Sequence, residues 1–412
     1  MTTQSQEDSL FSAKVNDSRT HLTVGAPGDS VLFRLPDMFR DGCNKLINDS
    51  LQQLSVYQYG PELGTTQYRQ ELAAFLSRRY GEEVSWKELL LTTGATNGLS
   101  LVSSCLVKHQ GVVFVENPTY FIALQVIKKD LGLNVVPIEM TEDGIDIDDL
   151  KTRIEEFSKT CDTELGADGR FWAMVYTIPT FHNPTGITMS RNRAEKLIKL
   201  TKESNVLVLC DDVYNLLAFN DQNYSRMKSI NPSADNIISN GTFSKILAPG
   251  VRLGWLEAPM RIVSQLQQSG ILLSGGSQNH WMSGVATSMI QLGHMDAHLD
   301  HCCQTYKQRM DAAVDILSSK LPSSWSVKHP GGGYFLWIVT NLENVETFTI
   351  TLEKKKDILV MPGYLASPNH QLNIPKKNCF RNCFRICIAF YDLEGVKKSC
   401  SDLCDIANEI CS

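Results

Sequence analysis

Between about residue 85 and residue 260 the chain alternates short apolar runs with amphipathic stretches. GVVFVEN (111–117), FWAMVYTIP (171–179), NVLVLCDD (205–212) and NIIS (236–239) are nearly continuous apolar runs of strand length. That pattern marks strands buried on both faces of a mainly parallel sheet. Between two of them, SRNRAEKLIKLTKESN (190–205) opens on Ser190, a helix-capping residue type, and sets Ala194, Leu197 and Ile198 at helical spacing. Strand and helix in repeated alternation predict an α/β architecture, a mainly parallel sheet layered by helices. From about residue 300 a long helix is expected over 302–320. HPGGGYFLWIV, ILVMPGYLA and FRICIAF then mix strand and helix signals in a smaller α/β lobe. VGAPGD (24–29) reads as a loop. The expected division is an N-terminal segment (1–45) that joins the small domain, a large domain (46–300) and a small C-terminal domain (301–412).

Composition narrows the function classes. The 412 residues suffice for two or three compact units, and 42% hydrophobic with 20% charged residues is ordinary for a globular protein. A net charge of -6 argues against a nucleic-acid surface, which needs clustered Lys and Arg. The run Lys354-Lys355-Lys356 reads as a solvated helix face. No apolar run approaches the roughly 18 residues of a membrane helix, and MTTQSQEDSLFSAKVND has neither a basic nor an apolar region. The expectation is a cytoplasmic protein whose twelve cysteines are reduced. Cys379, Cys383 and Cys387 are spaced by four, unlike a zinc C-x-x-C pair, and read as structural thiols. In GHMDAHLDHCC (293–303), His294, His298 and His301 share one helical face and could hold zinc. A polar helix face is the favoured reading there, and no metal is expected.

In an open α/β sheet, ligands collect at the carboxyl ends of the strands. The residues following the four apolar runs are ENPTY, TFHNPTG, DDVY and NGTFSK. A P-loop, a G-x-S-x-G elbow and a G-x-G-x-x-G fingerprint are all missing from the sequence. What is present suits an organic cofactor held by a lysine. Such a site needs an amine, an acid for a ring nitrogen, donors for a ring oxygen and a phosphate cradle.

GTFSKILAPGVRLGW, taken with GATNG, ENPTY, HNPTG, CDDVY and FRICIAF, resembles the class I/II aminotransferases, which have the aspartate-aminotransferase-like fold. The likeness runs from about residue 24 to 392 and is greatest to the kynurenine/2-aminoadipate and aromatic aminotransferase branch. It implies pyridoxal 5'-phosphate as cofactor, with Lys245 as the Schiff-base lysine and Asp211 at the ring nitrogen, Asp212 being the rival acid. It further implies Asn183 and Tyr214 at the ring oxygen, Tyr120 on the ring face, and Ala95, Thr96, Thr242, Ser244 and Arg252 at the phosphate. Tyr59, with Tyr57 as its rival, would reach the phosphate of a second subunit, which implies a homodimer. Arg385, with Arg381 as its rival, would take the substrate's α-carboxylate, and Gly25 would lie in a loop over the substrate. The implied reaction is transamination between an amino acid, of aromatic, kynurenine or 2-aminoadipate type, and a 2-oxo acid. A lyase, a decarboxylase or an aminocyclopropane-carboxylate-synthase-like enzyme on the same fold is the alternative. Some bacterial regulators carry this fold behind a DNA-binding region, but only about 23 residues precede the first motif here, with no basic helix.

Overall fold

The computed structural model describes residues 19–49, 54–219, 226–276, 278–374 and 379–412. Eight strands form the main sheet: β1 (Leu89–Thr92), β2 (Val107–Asn117), β3 (Asn134–Thr141), β4 (Gly144–Ile145), β5 (Phe171–Thr177), β6 (Val206–Asp211), β7 (Ile237–Thr242) and β8 (Gly254–Glu257). Their order is β1-β8-β7-β6-β5-β2-β3-β4. The neighbours β7, β6, β5, β2 and β3 pair in parallel, while β8 runs antiparallel to both β1 and β7. The four apolar runs are β2, β5, β6 and β7, and every residue of β5, β6 and β7 is buried.

Alternation along these strands divides the core in two. Val113, Val115, Met174, Tyr176, Leu207, Leu209 and Ile238 pack into one hydrophobic cluster. Val112, Phe114, Ala173, Val175, Val206, Val208, Cys210 and Ile237 pack into another on the opposite face. The same parity fixes the polar residues at the strand ends. Asn117, Asp211, Asn240 and Thr242 continue the first face, and Glu116, Thr177 and Ser239 the second.

Helix Arg191–Glu203 starts at Ser190 as expected, with the Ser190 hydroxyl accepting from Arg193 N at 3.3 Å. Helix Ala95–Leu106 follows β1, and its N-cap is Gly94 at φ 103°, a conformation that L side chains rarely adopt. The long helix expected from 302 begins at His294 and runs unbroken to Lys320, through residue 300 where the sequence pattern puts the lobe boundary. Gly293, in the left-handed conformation, is its N-cap, so no side-chain capping signal marks this start.

A second sheet, β9 (Ser326–Val327), β10 (Phe335–Val339), β11 (Met361–Pro362) and β12 (Cys383–Cys387), is antiparallel with order β9-β10-β12-β11. The N-terminal segment is stitched to this part: Thr20 and His21 pair in parallel with Ile358 and Leu359, and Cys387 N donates to Leu22 O at 2.8 Å. Helix Leu393–Cys411 packs on helix His294–Lys320. Among the described residues, no helix is long and apolar enough to cross a membrane.

Candidate active site

A cavity of about 880 Å³ opens at the carboxyl ends of the parallel strands. Its lining joins residues from 23–26, the start of helix Ala95–Leu106, the ends of β5, β6 and β7, and the small sheet. Gly25, Ala95, Thr96, Tyr120, Asn183, Asp211, Tyr214, Thr242, Ser244, Lys245, Arg252 and Arg385 all line it.

Lys245 Nζ donates to Gly25 O at 2.7 Å, and its own carbonyl accepts from Tyr334 Oη at 2.6 Å. Burial is the main influence on the amine and pulls its pKa down to about 8, with Cys387 and Asp211 opposing and Arg385 and Arg252 assisting. An amine with that pKa is substantially neutral near pH 8, the state in which nitrogen has a free electron pair.

Asp211 ends β6. Its Oδ2 accepts from Tyr176 Oη at 2.6 Å, and Asn240 Nδ2 lies 3.5 Å from Oδ1. Burial drives its pKa up to about 7, against the Tyr176 hydrogen bond. The neighbouring Asp212 faces the other way: it accepts from Ser239 Oγ and does not line the cavity. Strand parity therefore separates the two acids of CDDVY, with Asp211 on the cavity side.

Hydroxyls and a guanidinium gather opposite the helix start. Thr242 Oγ1 and Ser244 Oγ lie 3.1 Å apart, and Arg252 Nη1 donates to Ser244 Oγ at 3.3 Å and to Pro249 O at 2.9 Å. Arg252 itself has φ 48°, and Asn279 Nδ2 donates to the preceding carbonyl, Val251 O, at 2.8 Å. A Cβ on Gly94 would stand 3.0 Å from Arg252 Nη2. The first turn of helix Ala95–Leu106 has no side-chain cap, so its backbone N–H groups remain as donors with the helix dipole behind them. Two hydroxyls, a guanidinium and a helix N-terminus form a donor set suited to a phosphate, and Lys245 and Asp211 put an amine and an acid, the kinds of group a pyridoxal ring requires, in the same cavity. The residues present thus fit pyridoxal 5'-phosphate.

Arg385, on β12, is 3% exposed; Nη1 donates to Asn183 Oδ1 at 2.8 Å and Nη2 to Thr23 O at 2.6 Å. Its guanidinium lies over the Phe335 ring, 4.1 Å from the centroid. Arg381, the rival, is exposed in the turn before β12 and does not line the cavity. The HNPTG turn that presents Asn183 is anchored from the second sheet face. Glu116 accepts from Thr177 Oγ1 at 2.6 Å and Ile178 N at 2.9 Å, and His182 Nε2 stands 3.1 Å from the same carboxylate.

Tyr59 and Tyr57 lie outside the cavity. Tyr59 is 85% exposed beside Gly275, and Tyr57 stacks on Trp281 with centroids 5.3 Å apart. The three histidines of the 293–303 stretch are not brought together. His294 meets Asp41, buried His298 meets Cys302, and the His301 ring stands edge-on to Phe33. Among the described residues no group of three metal-ligating side chains occurs. Sequence reasoning missed Tyr176, Asn240, Tyr334 and the carbonyl of Thr23. Tyr176 shares the parity of Met174 and lies inside the apolar run 171–179, so the pattern reads it as core.

A family model described as aminotransferase class I and II matches residues 39–403. Aromatic-amino-acid aminotransferase 1 of Thermococcus litoralis is 31% identical over 311 residues, 74% of this chain and 71% of that protein. An uncharacterized HTH-type transcriptional regulator of Bacillus subtilis is 29% identical over 74% of this chain, which spans only 60% of the regulator. The structure of Pyrococcus horikoshii kynurenine aminotransferase, solved with PMP and KYN, is 25% identical and superposes with a TM-score of 0.81 over 96% of this chain and 92% of that one.

Proposed function

Because the chain belongs to the class I and II aminotransferases and is a transaminase, we propose that Lys245, Asp211 and Arg385 are the residues that carry its chemistry. We propose further that its donors are amino acids of aromatic, kynurenine or 2-aminoadipate type, with a 2-oxo acid as acceptor. Pyridoxal 5'-phosphate, when bound, supplies an aldehyde carbon that exchanges amino groups and a ring that accepts the electron pair left at the substrate's Cα. Lys245 would hold it at the aldehyde, Asp211 at the ring nitrogen, and Asn183 and Tyr214 at the ring oxygen. Tyr120 would cover the ring face, and Ala95, Thr96, Thr242, Ser244 and Arg252 would hold the phosphate.

The remaining steps belong to the chain. Arg385 binds the substrate carboxylate through its planar fork and so orients Cα. Neutral Lys245 Nζ accepts the proton leaving Cα, a role matched to an amine whose pKa is near 8. Gly25, whose carbonyl meets Nζ, lies in the segment that excludes water from this proton transfer. The observation that carries the reading is the convergence of Lys245, Asp211, Arg385 and the helix start at Ala95 on one cavity. A second copy of the chain would cover the surface bearing Tyr59, with exposed Leu54, Ile271 and Leu273 as its apolar part. A cytoplasmic setting suits the free cysteines.

The test is Lys245→Ala. The purified variant is expected to lose turnover and the visible absorbance of lysine-bound cofactor while its far-ultraviolet circular dichroism matches wild type. Retention of both properties would remove Lys245 from the reaction.

A further inference from the structure

The cavity holds more than the reacting groups. Among its described lining residues the charged side chains are Lys245, Asp211, Arg252 and Arg385. Each cation is already engaged, with Lys245 in the chemistry, Arg252 among the hydroxyls of the phosphate cradle, and Arg385 on Asn183 and the α-carboxylate. Within this chain's described lining none is left for a second carboxylate on the substrate. Burying one without a partner is strongly unfavourable. The lining that remains is mostly apolar, with Phe121, Val360, Met361, Pro362 and Leu365; its other neutral polar residues are Thr23, Tyr176, whose hydroxyl is bonded to Asp211, and Gln371.

Gln371 ends the short helix Pro368–Gln371, and its Nε2 donates to Leu365 O at 2.7 Å. A carbonyl only accepts, so this contact settles which end of the amide is nitrogen and leaves Oε1 as an acceptor. The segment is held in place from the large sheet. Ser367 Oγ donates to Asn117 Oδ1 at 3.0 Å, and Thr119 N donates to Ala366 O at 2.9 Å. Leu365 and Gln371 are thereby tied to the ENPTY turn that presents Tyr120.

Resting on the transaminase reading above, we propose that Gln371 reads the donor's side chain, and that the site takes an uncharged aromatic side chain carrying an N–H or O–H donor in preference to an acidic one. Gln371 is then a specificity residue. An indole, a phenol or an arylamine satisfies its acceptor and fills the apolar lining. A plain phenyl group fills the lining and offers the acceptor no partner in place of water.

The experiment uses the holoenzyme with one 2-oxo acid acceptor and compares tryptophan, tyrosine, kynurenine, phenylalanine, 2-aminoadipate and glutamate as donors. One neutral hydrogen bond corresponds to about 3- to 10-fold in kcat/KM. The best donor-bearing aromatic is expected to exceed phenylalanine by that factor and both acidic donors by more. In Gln371→Leu the aromatic-to-phenylalanine ratio is expected to fall towards one, with competitive inhibition by indole-3-propionate weakened to match. A preference for 2-aminoadipate or glutamate, or a ratio unchanged in Gln371→Leu, would overturn the proposal while leaving transamination intact. Failure of every donor to convert the bound cofactor, followed by absorbance in a single half-reaction, would instead overturn the reading on which it rests.

Discussion

Replacing Arg385 with lysine keeps the charge and removes the fork. In the native site the two Nη atoms donate in different directions, to Asn183 Oδ1 at 2.8 Å and to Thr23 O at 2.6 Å, while the guanidinium plane lies 4.1 Å from the Phe335 centroid. A lysine ammonium is a point charge on a longer stem. It cannot stack on Phe335 in the same way or present two parallel N–H groups to a carboxylate. A hydrogen bond involving a charged group contributes about 1.5–3 kcal/mol, so losing one arm of a bidentate contact corresponds to roughly 10- to 150-fold in binding. Amino donor and oxo acceptor carry the same carboxylate, and both should show it. The expected result in steady-state assays is a KM raised by at least about tenfold for both substrates, with a smaller change in kcat, as befits binding that is uniform along the reaction. Arg381→Lys, at an exposed position outside the cavity, should stay within about twofold of wild type. Equal effects of the two substitutions, or a rise for one substrate alone, would refute the assignment of the α-carboxylate to Arg385.

Two further outcomes follow from the buried charges. Burial lowers the Lys245 amine to a pKa of about 8, so the rate at which cofactor-stripped protein captures pyridoxal phosphate should rise about tenfold per pH unit below 8 and level off above it. A rate still climbing at pH 10 would contradict this. Asp211 has its pKa raised to about 7 in the folded chain, so the folded state binds its proton more tightly than the unfolded state between pH 4 and pH 7, and stability falls as pH rises through that window. At 1.36 kcal/mol per pKa unit the loss reaches up to about 4 kcal/mol at pH 8. Asp211→Asn should recover part of it in denaturant titrations of the cofactor-stripped protein at pH 8 and gain nothing at pH 4, while turnover of the holoenzyme falls sharply. A stability difference that is the same at both pH values would show that Asp211 is not the group responsible.

The strands that position the site were legible because burial on both faces writes itself as an unbroken apolar run, as in VVFV and VLVLC. The polar residues ending each run then mark the rim, which singles out CDDVY and NGTFSK; the choice of Asp211 and Thr242 within them came from the resemblance to the aminotransferases. Antiparallel β8 was not legible as an insertion between β1 and β7. Its pairing with β1 joins segments more than 150 residues apart, and its local sequence, GWLE, carries no sign of direction. Contacts made by main chain were hidden for a different reason. The carbonyls of Thr23 and Gly25, which meet Arg385 and Lys245, could belong to any residue type. Tyr176 reads as strand core, because a hydroxyl at the end of an apolar side chain does not interrupt a hydrophobic pattern.

The stitching of residues 20–22 onto the small sheet has a mechanical consequence. Thr20 and His21 pair with Ile358 and Leu359 in a two-stranded sheet of their own beside the small one, and the bond from Cys387 N to Leu22 O ties the segment to the small sheet itself, so residues 23–26 are an outrigger of that part although they line the cavity with the large sheet. Arg385 rides on the same sheet, two residues from Cys387. The arginine and the carbonyl it holds therefore form a single jaw. Asp211, at the end of β6, and Lys245, in the turn after β7, form the other. Any swing of the small sheet keeps the distance from Arg385 to Thr23 and changes its distance to Lys245, so if Arg385 holds the substrate carboxylate as proposed, the grip is set by one body and the presentation to the amine by the angle between two.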